Sequence, residues 1–323
     1  MRSLFAIAFA ATAFLVPQFS AMAQSWPDRP IKLIVPQPPG GGFDTVARIL
    51  ADRMAPLLGQ PVVVENRTGA GTLVGTEAAA RAPADGYTLL LGALSNIALN
   101  PGLYDKLPYD PLKDFTPVGL AVTWSYTLVA RKDLPQKDLK ELIAFARANP
   151  EKVTYASAGK GSGQHIATAV MEKLAGVKFT HVPYRGAQAA YQDILGGRVD
   201  LFFDISSTAR AQVEGETVRA LAVSSKARQS FHADVPSVFE TGVAPLDMES
   251  WFGLFAPAAI PAPALAKLRA DLDVVLARPE VSELFARTGG RVLKLSPQET
   301  ENLVRSDVER WTKLLKDAAV SAE

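Results

Sequence analysis

The chain has 323 residues, 48% hydrophobic and 21% charged, a composition that supports a folded core and excludes a disordered chain. Lys and Arg number 34 against 33 Asp and Glu, so no basic surplus points to nucleic acid as a partner. Cysteine is absent, which excludes disulfides, thiol nucleophiles, cysteine-ligated zinc and iron–sulfur clusters together.

The chain opens on one positive charge, Arg2, followed by an uncharged stretch from Leu4 to Val16 and the small-x-small triplet Ala21-Met22-Ala23. This build reads as a secretory signal peptide over residues 1–23, cut before Gln24. The apolar stretch is shorter than the ~20 residues a helix needs to cross a bilayer. An exported, soluble product is expected.

Next comes a strand at Ile31–Val35, ended by Pro36, and a loop, Gln37-Pro38-Pro39-Gly40-Gly41-Gly42. A helix starts near Asp44 or Thr45, with Val46, Ile49, Leu50, Met54 and Leu57 at helical spacing and Asp44 as its N-cap. A strand at Val62–Val64, a helix over 73–82 and a strand at Tyr87–Gly92 follow. The pattern restarts with a strand at Tyr126–Arg131, a helix at Leu139–Asn149 and a strand at Val153–Ser157. That strand runs into a second glycine loop, Ala158 to Gly163, and a helix at Gln164–Leu174. Strands at Phe179–Tyr184 and Val199–Phe203 flank a helix at Ala187–Leu195, and Arg219–Val223 is one more strand. The remainder reads as helical, over Ala262–Ala277, Pro279–Thr288 and Pro297–Ala319. Strand–loop–helix alternation predicts mostly parallel sheets covered by helices, in two lobes around a cleft.

In such sheets a ligand binds beyond the strand ends, against helix N-termini, and both glycine loops stand there. An anion is the natural guest. Enzyme motifs are missing: neither loop is a P-loop, and Lys160 and Gln164 replace the glycines that a nucleophile elbow needs around Ser162. His165, His181 and His232 lack metal-ligand spacing, so no metal or other cofactor is expected. His165 reads as a structural hydrogen-bonder, and Asp204 as either a turn-former or a ligand contact.

Several segments carry a resemblance to a known family. They include Trp26-Pro27-Asp28-Arg29-Pro30, Pro38-Pro39-Gly40-Gly41-Gly42-Phe43-Asp44, Val64-Glu65-Asn66-Arg67-Thr68-Gly69-Ala70-Gly71 and Ala84-Asp85-Gly86-Tyr87-Thr88. Further along stand Gly161-Ser162 with Gln164-His165, His181-Val182-Pro183-Tyr184-Arg185-Gly186, Gly196-Gly197-Arg198-Val199-Asp200 and Trp251-Phe252-Gly253. In this order they resemble the substrate-binding receptors of the tripartite tricarboxylate transporter family, the Bug-type receptors, over nearly the whole chain after the leader.

The resemblance implies an α/β, two-lobe Venus-flytrap fold of type II, with lobe 1 formed by 24–124 and 225–323 and lobe 2 by 125–224. It implies a periplasmic monomer that captures a small mono- or dicarboxylate, aliphatic or aromatic, for membrane transporter subunits. Its ligand-binding set is Pro39, Gly40, Gly41, Gly42, Phe43 and Asp44 on the first loop, with Ser95 and Asn96 after the third strand. The second lobe adds Ser157, Gly159, Gly161, Ser162, Gly163, Gln164, His165 and Asp204. A ligand-presenting sensor subunit for a membrane kinase, and a secreted hydrolase using Ser162 or Asp204, are the alternatives. This chain departs from the family pattern at Phe43, whose ring would narrow the pocket or stack on a flat ligand, and at Thr72, where glycine is common. Trp124 joins Phe43 in favouring a flat ligand. Lys160 is expected to face solvent.

Overall fold

The structure, a computed structural model, describes residues 26–317 and 320–321. The leader 1–23, its cut before Gln24 and the end of the expected helix at Ala319 lie outside the described residues. Strand β1 (Ile31–Val35) is buried along nearly its whole length, as a parallel strand covered on both faces must be. Helix α1 (Gly42–Leu58) buries Val46, Leu50 and Met54 on one face. It stops at Gly59, whose φ of +66° suits a left-handed cap. Strand β2 (Val62–Asn66), α2 (Leu73–Ala80) and β3 (Thr88–Ala93) complete the first unit. β1 lies between β2 and β3 and parallel to both, Leu33 standing opposite Val64 and Leu89.

A π-helical turn (Leu94–Leu99) and α3 (Asn100–Leu103) stand where a loop through Ser95 and Asn96 was expected. β4 (Phe115–Arg131) follows, far longer than the expected strand at Tyr126–Arg131. The second unit runs α4 (Leu139–Ala148), β5 (Thr154–Ser157), α5 (Gly163–Ala175), β6 (Thr180–Pro183), α6 (Ala187–Leu195), β7 (Leu201–Ile205), α7 (Ser206–Glu214) and β8 (Val218–Val223). Asp204 lies inside β7, and α7 was not expected. The C-terminal part is not wholly helical. It opens on β9 (Glu249–Pro257), then α8 (Ala262–Leu276), α9 (Pro279–Arg287), the short β10 (Arg291–Val292) and α10 (Pro297–Asp317).

The strand order is β2-β1-β3-β9-β4-β7-β5-β6, with β8 and β10 also paired to β4. The outer strands of each half are parallel, as expected. The centre is not: β9 is antiparallel to β3 and β4, and β4 is antiparallel to β7, β8 and β10. The sheet is therefore mixed.

β4 changes partners along its length. Phe115 to Ser125 pair with β9, whereas Tyr126 to Ala130 pair with β7. The returning chain is tied at the same place: Ser224 N–H donates to Tyr126 O (2.9 Å), and Tyr126 N–H donates to Ser224 Oγ (2.8 Å). One large apolar cluster runs through β1, β3, β4, β9 and α10. A smaller one, with Val129, Tyr191, Ile194 and Phe202, lies beneath α6. Each such side chain, fully buried, contributes roughly 1.5–3 kcal/mol. The two halves meet along the loops that precede α1 and α5.

Candidate binding cleft

Asp44 does not cap α1. The N-cap is Gly41, with extended backbone and no side-chain cap; Asp44 sits inside the first turn and reaches back. Its Oδ2 accepts from Gly40 N–H (3.0 Å) and Arg48 Nε (2.9 Å), and its Oδ1 from Arg48 Nη2 (3.0 Å) and Asn66 Nδ2 (3.1 Å). Burial would raise the Asp44 carboxyl, but hydrogen bonds from Arg48, Gly40 and Asn66 outweigh it and hold the group below its ordinary value. The brace occupies the Gly40 N–H. It leaves the N–H groups of Gly41, Gly42 and Phe43 without a partner among the described residues.

The second glycine loop is built differently. Ser162 caps α5, its Oγ accepting from His165 N–H (3.3 Å), and Ser162 N–H donates to Gly159 O (3.1 Å). Gly159 N–H donates to Ser157 Oγ (3.1 Å), which is 2.7 Å from His181 Nε2. Gly161 N–H donates to His165 Nδ1 (3.2 Å). His165 is stacked on His181 and His181 on Tyr155, with ring centroids 4.3 and 4.7 Å apart. Burial lowers both imidazoles, His165 to about 3 and His181 to about 4, so both rings are neutral at pH 7. Ser157, Gly159, Gly161, Ser162 and His165 thus satisfy one another inside the loop, and Gly163 and Gln164 present the free start of α5.

The halves touch across the cleft. A Cβ on Gly71 would stand 2.5 Å from Lys160 O, and one on Gly186 3.5 Å from Pro38. Two small chambers remain between them, and both are lined by Gln37, Gly42, Gln164 and Ile205. The outer one, about 40 Å3, adds Pro39, Gly40, Gly41 and Arg185, with Gln188 at the start of α6 and Thr208 in the first turn of α7. The inner one, about 10 Å3, adds Phe43, Ser95, Tyr126, Gly163, Ser250 and Phe252. The rings of Phe43 and Phe252 meet edge to face at 5.1 Å.

Asp204 is fully buried behind Gln164. It accepts from Gln164 Nε2 (3.3 Å), Tyr191 Oη (3.0 Å), Ile205 N–H (2.8 Å) and the Thr208 hydroxyl. Burial raises its carboxyl to about 6, against the pull of those donors. Asn96 is equally remote from the chambers: its Oδ1 accepts from Ala93 N–H (2.7 Å) and its Nδ2 donates to Thr76 Oγ1 (3.0 Å). Of the sequence-derived set, then, Pro39 to Phe43, Ser95, Gly163 and Gln164 line the chambers. Asp44, Asp204, Asn96 and the interior of the second loop stand behind them. Trp124 does not face the cleft either; it is packed against Phe252 and Phe285. Lys160 is exposed.

A family model described as the tripartite tricarboxylate transporter family receptor matches residues 46–320. The chain belongs to that receptor family. Three solved structures are similar to this receptor over nearly their whole length. The periplasmic binding protein BugD is 36% identical, with a TM-score of 0.86 over 92% of this chain and 99% of its own. MatC from Rhodopseudomonas palustris, with bound malate, is 33% identical with a TM-score of 0.86 over 90% and 100%. A second R. palustris protein, with adipate, is 31% identical with a TM-score of 0.87 over 92% and 99%. The receptor has the two-lobe α/β fold of periplasmic binding proteins, and its family serves solute binding in the periplasm.

Reading from the sequence missed several residues of the receptor's cleft. Arg185 lies within a segment that carried the family resemblance, and so does Phe252, but neither was assigned to the site. Gln37 opens the first glycine loop but was not assigned to the site; Tyr126, Ile205, Thr208 and Ser250 had no local signal, because strands and turns distant in sequence bring them together. Ser162, the alternative nucleophile, is fully buried and engaged as a helix cap.

Proposed function

We propose that this receptor captures a small carboxylate between its lobes and delivers it to the membrane subunits of a tripartite tricarboxylate-type transporter. The lobes follow the boundaries read from the sequence, 24–124 with 225–323 and 125–224; the exchange of partners along β4 at Tyr126, and the tie to Ser224, support them. One observation carries the ligand class. The starts of α1, α5, α6 and α7 converge on a single cleft beside Arg185, and each start offers free N–H donors and the positive end of a helix dipole. The malate and adipate in two relatives belong to the same chemical class. The free donors are those of Gly41, Gly42 and Phe43 on one side and Gly163 and Gln164 on the other. Closure follows when one anion contacts both lobes at once. The signal peptide 1–23 directs the chain to the periplasm, where it acts as a monomer.

The test is a thermal-shift and calorimetric screen of the chain from Gln24 against small carboxylates, with the ligand recovered and analysed afterwards. Ligand at about 100 times its Kd stabilises the native state by roughly 2.7 kcal/mol, a clear rise in melting temperature. Gly41→Trp should abolish that rise without unfolding the protein, because Gly41 has extended backbone and no heavy atom closer than 3.9 Å to its would-be Cβ. A chemically altered ligand would point to the hydrolase instead. Full binding by Gly41→Trp would refute the loop assignment.

A further inference from the structure

The two chambers differ in charge, and that difference bears on which carboxylates the cleft accepts. In the outer chamber Arg185 is exposed and has neither an ion pair nor a hydrogen bond among the described residues. A cation and several helix starts therefore face one small space. The inner chamber has no Lys, Arg or His in its lining. Its walls are the rings of Phe43 and Phe252, the hydroxyl side chains of Ser95, Tyr126 and Ser250, the amides of Gln37 and Gln164, Ile205, and the helix starts at Gly42 and Gly163. A negative charge stands behind it: Asp204 bonds Gln164, which lines this chamber, and its charge acts on the Tyr126 hydroxyl.

We infer that the cleft selects a monoanionic carboxylate, its carboxylate held in the outer chamber at Arg185 and its short, uncharged far end placed between Phe43 and Phe252. This rests on the carboxylate reading above and narrows it. A second carboxylate in the inner chamber would lose its hydration and meet backbone and hydroxyl donors but no cation, with the charge of Asp204 behind Gln164, whereas a methyl or hydroxyl end meets rings and hydroxyls that suit it. The size agrees: a space of about 10 Å3 is close to what one water-sized group needs. Malate and adipate, the acids in two relatives, are dianions at neutral pH, so this assignment separates this receptor from them in specificity.

Titration calorimetry with acids that differ only at the far end tests it: 3-hydroxybutyrate against malate, butyrate against succinate, hexanoate against adipate. The monoanion of at least one pair should bind roughly tenfold or more tightly than its dianionic partner, the size of effect an unpaired buried charge produces. Equal or tighter binding of the dianions overturns this inference and leaves the carboxylate reading standing; no binding by any of the six overturns both. Arg185→Gln, at an exposed position that folding does not depend on, should weaken the bound monoanion roughly tenfold, with Arg185→Lys retaining most of the affinity. An unchanged affinity in Arg185→Gln overturns the placement of the carboxylate.

Discussion

His165 and His181 stack at 4.3 Å behind the second glycine loop, and two carboxyls, the half-buried Glu172 and the buried Asp204, lie in the same half of the molecule. The four groups pull the pH dependence of stability in opposite directions. The imidazoles stay neutral in the fold down to about 3 and 4, whereas in the unfolded chain they take up protons below 6.5. Their contribution is complete above pH 6.5 and is lost as pH falls. Burial raises Glu172 to about 7 and Asp204 to about 6, from ordinary values of 4.5 and 3.8. These keep their protons in the fold while the unfolded chain releases them, so their contribution is lost as pH rises. Between pH 5 and 6 the two pairs offset each other. The double variant His165→Phe/His181→Phe keeps a stack of rings and removes one side of that balance. Its melting temperature should fall more steeply than the wild type's as pH rises from 5 to 6.5. Parallel profiles in scanning calorimetry would mean that the imidazoles titrate in the fold as they do in the unfolded chain.

At the level of elements, β9 ties β3 to the first part of β4, and its fit depends on one missing side chain. A Cβ on Gly253 would stand 2.3 Å from Gly119 O and 2.7 Å from the Leu120 Cα, both backbone atoms of β4 that cannot swing away. Gly253→Ala should therefore destabilise the fold by about 1–3 kcal/mol or more through overpacking. Gly41→Ala, with nothing closer than 3.9 Å, should stay within about 0.5 kcal/mol, as surface changes do. Equal urea midpoints for the two variants would refute this packing. β9 was also among the elements least legible in the sequence. From Trp251 to Pro257 it is buried throughout, so it lacks the alternation that marks a half-covered strand. β4 was cut short for the same reason, being buried without a break from Leu120 to Ala130. Most of the longer helices were legible because each has one wet face, whereas α3 and α7 were not read. α6 was read to its true bounds, and α1 missed its start by two residues because Asp44 was taken for a cap.

For the molecule as a whole, the contact between Gly71 and Lys160 is a stop that decides how far the halves approach. Gly71→Ala should hold them apart. The radius of gyration in solution scattering should rise, and carboxylate affinity should fall by up to roughly tenfold, since the closed state is the one that grips the ligand. Gly71 has φ +72°, so alanine there also strains the backbone. Gly59→Ala is the control, with φ +66° and open space around it. That variant should lose about 1 kcal/mol of stability and no affinity. Equal affinities in the two variants would show that the contact does not limit closure.

By itself the sequence determined what depends on neighbours along the chain: the two glycine loops, the helices that follow them, most of the strands and the absence of cysteine chemistry. Turn residues and helical periodicity act over a few positions, and those are on view in a linear string. Tertiary structure alone decided which loop N–H groups are free. His165, Ser157 and Asp44 occupy some of them through bonds that form only after folding. It also decided that Phe43 meets Phe252, that Asp204 stands behind Gln164, and that Arg185 faces the first glycine loop. Each pairs residues far apart in sequence, brought together by the order of the strands within each half and, for Arg185, by the contact between the halves.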